Sequence, residues 1–188
     1  MAYARGCTLS LTLAIAAWNA ANALGASWLD EPKPVSWNEP GLAIPAAPRR
    51  SGAVDARCGD LARPPELEQD RRLKEQGWDL IGAYEGGWQI LVIRATADYD
   101  GMCRPRHYQG FVFVHGVFAG TLSPQPMDSR TDGALDRTYI QGDGRITAEY
   151  LRYAATDPLC CASRRARVTF DISGGSVAKP ISVVIYKP

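Results

Sequence analysis

Residues 109–122 read Gln-Gly-Phe-Val-Phe-Val, His-Gly, Val-Phe-Ala-Gly-Thr-Leu. Two runs of β-branched and aromatic residues around a polar residue and a glycine are the pattern of a β-hairpin with a two-residue turn. That turn needs positive φ, which explains His115 beside Gly116 as backbone geometry rather than chemistry. In this register Val114 faces Val117 and Phe113 faces Phe118. A chain committed to this pairing has to bury the hairpin's apolar face against more β-structure.

The flanking sequence supplies it. Residues 87–96, from Gly87 through Trp88-Gln89-Ile90-Leu91-Val92-Ile93, predict a buried strand ended by the turn residues Asp98-Tyr99-Asp100-Gly101. A second hairpin is expected at Gly142-Asp143-Gly144, pairing residues 138–141 with 145–153, where Ile146, Ala148, Tyr150 and Arg152 alternate with Thr147, Glu149, Leu151 and Tyr153. A third carries the chain across residues 157–163 into a strand at 165–172, and the last strand is 181–186. Pro64-Pro65-Glu66 opens one short helix that runs through residues 67–76 and stops at Gly77. With few apolar positions, Leu67 and Leu73, it belongs on the surface. The class expected is mainly β: an antiparallel meander, closed as a small barrel or curved as a sheet, with one short peripheral α-helix.

Residues 1–23 follow signal-peptide grammar, with Arg5, an apolar run from Thr8 to Trp18, and small residues at Ala21 and Ala23. Cleavage is expected after Ala23, with Gly25 or Ala26 as neighbouring choices. The apolar run is shorter than the roughly 20 residues of a spanning helix, and no second such run follows, so no transmembrane segment is expected. Cys7 precedes the apolar stretch instead of following it, so lipid attachment is not expected. Residues 24–57 are rich in proline and alanine and are read as an extended strap, held on the core by Trp28, Trp37, Leu42 and Ile44. Residues 58–188 are read as a single disulfide-stabilised β-domain.

Charge excludes some partners. The chain has 21 Lys+Arg against 20 Asp+Glu, and a near-neutral protein has no general attraction for nucleic acid or anionic lipid. The clusters Arg164-Arg165-Ala166-Arg167 and Arg104-Pro105-Arg106 read as solvated strand ends and loop ion pairs.

Beyond the presumed leader stand four cysteines, Cys58, Cys103, Cys160 and Cys161, and an even number in an exported chain implies disulfides. Adjacent Cα atoms lie about 3.8 Å apart across a trans peptide, closer than disulfides usually span. The expectation is therefore two long-range bonds, from Cys160 and Cys161 to Cys58 and Cys103, in either of two arrangements. Each would close about 60 to 100 residues and stabilise by at most about 4 to 5 kcal/mol. A four-thiolate zinc site lacks Cys-x-x-Cys spacing, and no metal or cofactor is expected.

Candidate chemistry is sparse. His107 lies in a loop with Asp98, Asp100, Cys103, Arg104 and Arg106, but no nucleophile elbow accompanies it. Residues 128–133, Asp-Ser-Arg-Thr-Asp-Gly, echo a calcium loop only faintly, because Arg130 occupies a ligand position. The bland reading is a polar loop in which Asp128 and Asp132 accept backbone hydrogen bonds and Arg130 pairs with a carboxylate. Asp98, Asp100, Arg104, His107, Arg130 and Asp132 together form the candidate ligand loop; no residue is assigned as catalytic.

Three segments carry a family resemblance: Tyr99-Asp100-Gly101-Met102-Cys103-Arg104-Pro105, the strand and turn from Phe111 through Phe118-Ala119-Gly120-Thr121-Leu122-Ser123-Pro124, and Asp157-Pro158-Leu159-Cys160-Cys161. Over about residues 77–172 the chain resembles the LppP/LprE lipoproteins of the bacterial envelope. The resemblance implies an exported envelope location and offers no catalytic residues; the lipidated cysteine of a lipoprotein is missing here. The expectation is a monomeric, non-enzymatic binding module, periplasmic or extracellular, whose loops meet an envelope or extracellular partner. The alternatives are an exported hydrolase using His107 with Asp98 or Asp100, and a secreted inhibitor inserting the loop at residues 123–133 into a target.

Overall fold

The structure, a computed structural model, describes residues 27–50, 56–172 and 174–188. The leader read at residues 1–23, its cleavage points and Cys7 lie outside the described residues.

Among the described residues, nine strands form two antiparallel sheets. The first contains β1 (Asp79–Leu80), β2 (Glu85–Gly87), β3 (Ile90–Tyr99), β4 (Pro105–Val114) and β5 (Val117–Thr121), in the order β1-β3-β4-β5 with β2 also on β3. The second is a four-stranded meander of β6 (Leu135–Gln141), β7 (Arg145–Arg152), β8 (Arg164–Asp171) and β9 (Lys179–Tyr186). Val114 pairs with Val117 and Phe113 with Phe118, as the turn chemistry requires, and His115 and Gly116 take φ of 50° and 80°. The hairpin at residues 142–144 joins β6 to β7 with Gln141 opposite Arg145. The expected meander is thus divided between two sheets, and no closed barrel forms among the described residues.

Inward residues of both sheets meet in one core. Ile90, Val92, Val112 and Val114 come from the first sheet, and Ile146, Ala148, Tyr150, Ala166, Val168 and Phe170 from the second. A separate cluster covers the outer face of the first sheet, where Leu73 and Trp78 pack on Leu80, Ile93, Phe111 and Phe113. Leu73 comes from α2 (Glu68–Glu75), the expected peripheral helix. Its start falls after Leu67 because the buried Asp70 carboxylate reaches back to accept the Glu66 and Leu67 N–H groups while pairing with Arg63 at 2.6 Å.

Residues 27–48 are the strap, opened by a 3₁₀ turn at Trp28–Asp30. Trp28 stacks edge-on against Trp37 and Tyr150, with centroids 4.9 and 5.2 Å away. Ile44 packs on the outer cluster, whereas Leu42 is 43% exposed and contributes no anchor. The deepest fastening is polar. Asn38, 2% exposed, donates from Nδ2 to the Thr121 and Ala178 carbonyls at 2.9 and 2.7 Å and accepts the Thr121 N–H through Oδ1 at 2.9 Å. A Cβ on Gly120, whose φ is 127°, would overlap that amide, so this glycine is required by the strap as well as by its backbone.

The disulfides correct the expected pairing. Cys58, carried by the single turn α1 (Ala56–Gly59), bonds Cys103 in the β3–β4 turn, 45 residues away, with Cα atoms 5.1 Å apart. Cys160 bonds its neighbour Cys161. Each cysteine pairs with what its own loop brings near: α1 lies against the β3–β4 turn, with Cys58 Sγ 4.0 Å from the Asp100 carbonyl, and the β7–β8 loop closes on itself. Among the described residues, one bond is a long-range staple.

Candidate functional site

The β5–β6 connection, residues 122–134, crosses between the sheets and is pinned along its length. Met127 and Tyr108 exchange backbone hydrogen bonds at 2.8 Å, Ser129 N–H donates to the Pro105 carbonyl at 3.1 Å, and Gly133 N–H to the Leu151 carbonyl at 2.8 Å. Asp128 Oδ1 accepts the His107 N–H at 2.7 Å, and its carbonyl accepts from Thr131 Oγ1 at 2.7 Å. Arg130, at φ 60°, is the exposed tip, and its side chain has no partner among the described residues.

Between this connection and the start of the strap lies a cleft of about 470 Å³, within the usual range for small-ligand sites. Trp28 and Ser27 form one wall; Pro124, Gln125, Met127, Asp128, Thr131 and Asp132 form the other. Arg152, its side chain only 5% exposed, holds the two walls together. Its Nε donates to Asp132 Oδ1 at 2.9 Å and its Nη2 to Asp30 Oδ1 at 2.8 Å, while Nη1 is buried without a partner among the described residues. The Arg152 hydrogen bond holds the Asp30 carboxyl below its ordinary range against the opposing effect of burial. Burial by itself would lower the Arg152 pKa, but Asp132 and Asp30 outweigh it and the net shift is upward.

The residues singled out from sequence do not converge. Asp98 is buried, accepts the Tyr99 N–H at 2.8 Å and stands opposite Arg106 across the β3–β4 ladder. Asp100 closes its own turn, accepting the Met102 and Arg104 N–H groups, both at 2.9 Å, and Arg104 Nε at 2.6 Å. Burial pushes its carboxyl up; the Arg104 and Met102 N–H groups and the Arg104 guanidinium prevail and hold it low. His107 has φ 50° and a buried Nδ1 without a partner among the described residues; its backbone N–H donates to the Asp128 carboxylate. Asp132 accepts the Tyr153 N–H at 2.8 Å, as a loop aspartate is expected to, but Arg130 does not take the carboxylate partner expected of it. Arg152 was the missed residue. Its signal was an arginine on the apolar side of the Ile146, Ala148, Tyr150 alternation, a charge facing the core that demands partners.

Among the described residues no group of three or more His, Cys, Asp or Glu is placed to hold a metal ion, and no helix is long and apolar enough to cross a membrane. Fold and cleft together define a two-sheet antiparallel β-protein with a loop-built cleft. Residues 88–175 match the model of the LppP/LprE lipoprotein family, which upholds the resemblance read from the three motifs and spans β3 through β8. The matched stretch is 88 of the 188 residues, and the family is described as one of lipoproteins, with no biochemical role in that description. No curated protein and no solved structure matches the chain.

Proposed function

We propose that this is a non-enzymatic envelope binding protein, released by cleavage of residues 1–23 and working as a monomer through the cleft between strap and β5–β6 connection. The carrying observation is the Arg152 clamp, which joins the cleft's two walls through a nearly buried guanidinium. Burying an arginine costs several kcal/mol unless both carboxylates are in place, so the clamp fixes the walls for a ligand. The ionisable groups of the lining are Asp128 and Asp132, the second already neutralised by Arg152, beside the neutral Ser27, Trp28, Gln125 and Thr131. An aromatic ring next to hydrogen-bonding amide, hydroxyl and carboxylate groups suits an uncharged, hydroxyl-rich ligand of the carbohydrate class. The hydrolase alternative draws no support from Asp98 and Asp100, which are engaged in their own turn and ladder.

The test is a chemical-shift titration of the exported chain with N-acetylglucosamine and its short oligomers. Shifts mapping to Trp28, Gln125 and Asp128, and lost in Trp28→Ala, are expected. A hydrolase screen that detects turnover abolished in His107→Ala would overturn the reading.

A further inference from the structure

The Cys160–Cys161 bond differs from the staple in the two properties that govern thiol–disulfide exchange. Both of its cysteines are exposed, whereas Cys58 is 1% exposed, and attack by a thiolate requires access to sulfur. It also closes no chain loop beyond its own peptide, so opening it returns almost no conformational entropy to the unfolded chain.

The loop carrying the bond does not need it. Asp157 Oδ2 accepts the Ala154 and Ser163 N–H groups at 2.7 and 2.9 Å, closing the loop at its base. Cys161 N–H donates to the Pro158 carbonyl at 2.9 Å, and Tyr153 OH to the Leu159 carbonyl at 3.2 Å. Leu159, the residue before the pair, is 65% exposed. Backbone and carboxylate hydrogen bonds thus hold an accessible disulfide at the end of β7 and β8 without relying on it.

We propose that Cys160–Cys161 is a thiol–disulfide exchange site that reacts with low-molecular-weight thiols while the fold and the Cys58–Cys103 bond stay intact. In the first step a small-molecule thiolate attacks one sulfur; its S–S bond to that cysteine forms as the Cys160–Cys161 bond breaks, and the released cysteine thiolate takes a proton from solvent. A second thiolate then attacks the mixed disulfide. Two small thiols are oxidised to one disulfide, and the cysteine pair gains two electrons and two protons. The site goes beyond the cleft reading and does not depend on it.

The experiment exposes the exported chain to graded reduced glutathione, alkylates newly formed thiols and locates them by peptide mass spectrometry, with near-ultraviolet circular dichroism recorded in parallel. Cys160 and Cys161 are expected to be alkylated at roughly ten-fold lower glutathione than Cys58 and Cys103, with the dichroism unchanged. In Cys161→Ala, oxidised glutathione should place one glutathionyl group on Cys160 as its second half leaves as the thiolate; in the Cys160→Ala, Cys161→Ala double variant none should be placed, and that variant should keep the dichroism of the parent. The proposal is overturned if both pairs open together and only as the fold is lost, if Cys160 and Cys161 are alkylated without reductant, or if cross-linked peptides join either to Cys58 or Cys103.

Discussion

The two sheets are buried to different depths, and almost everything else about the molecule follows that difference. In the first sheet β3 and β4 bury side chains on both faces: Ile90, Val92 and Val112 toward the second sheet, Ile93, Ala95, Phe111 and Phe113 toward α2 and Trp78. In the second sheet only one face is covered. Its outer face carries Glu149, which accepts from Arg167 Nη2 at 2.9 Å and from Tyr186 OH at 2.8 Å, with Arg165 nearby. The disulfides divide the same way, the staple tying α1 to the first sheet and the exposed ring sitting at the end of the second. A sheet sandwiched on both faces is a scaffold; a half-solvated one has room for polar networks and accessible loops.

The comparison breaks first at Phe111, fully buried in the outer cluster. Phe111→Ala should cost about 3–5 kcal/mol of unfolding free energy by chemical denaturation, and a loss under about 1 kcal/mol would mean that α2 covers the sheet only loosely. Next, the Cys58→Ser, Cys103→Ser pair should lose about 2–4 kcal/mol, the contribution of closing a loop of this size. Acid supplies a smaller effect. The Asp30 carboxyl is lowered from its ordinary value of 3.8, so its stabilisation is fully present above that value and is lost as pH falls through the lower folded value. Trp28 fluorescence should therefore report the strap loosening below about pH 4, and Asp30→Asn should lack that component of the change. Smallest of all, Arg167→Ala on the open face should change stability by under about 1 kcal/mol, as half-exposed ion pairs do; a larger loss would show that the second sheet is held from both sides after all.

Strands were legible because turn dipeptides and β-branched runs act locally, so His115-Gly116 and residues 142–144 set their own registers. The division into two sheets was not legible. It depends on the β5–β6 connection crossing over, and nothing in residues 122–134 distinguishes a crossing from another hairpin. The disulfide pairing is not legible from the spacing of adjacent Cα atoms, because it depends on which loops meet in space. Gly120 lies within the second of the three family segments, yet its reason lies 82 residues upstream in the amide of Asn38. Within the site, Arg152 could have been recognised from strand alternation alone, but its partners Asp30 and Asp132 belong to two segments that only tertiary structure brings together.

Asn38 reaches partners 83 and 140 positions later in the chain. A polypeptide emerging from its amino end therefore delivers the strap first and secures it last, once residue 178 has arrived. Until Tyr150 and Phe170 arrive, Trp28 and Trp37 have only each other to stack on, and an escort that shields exposed indoles during synthesis would find its substrate there.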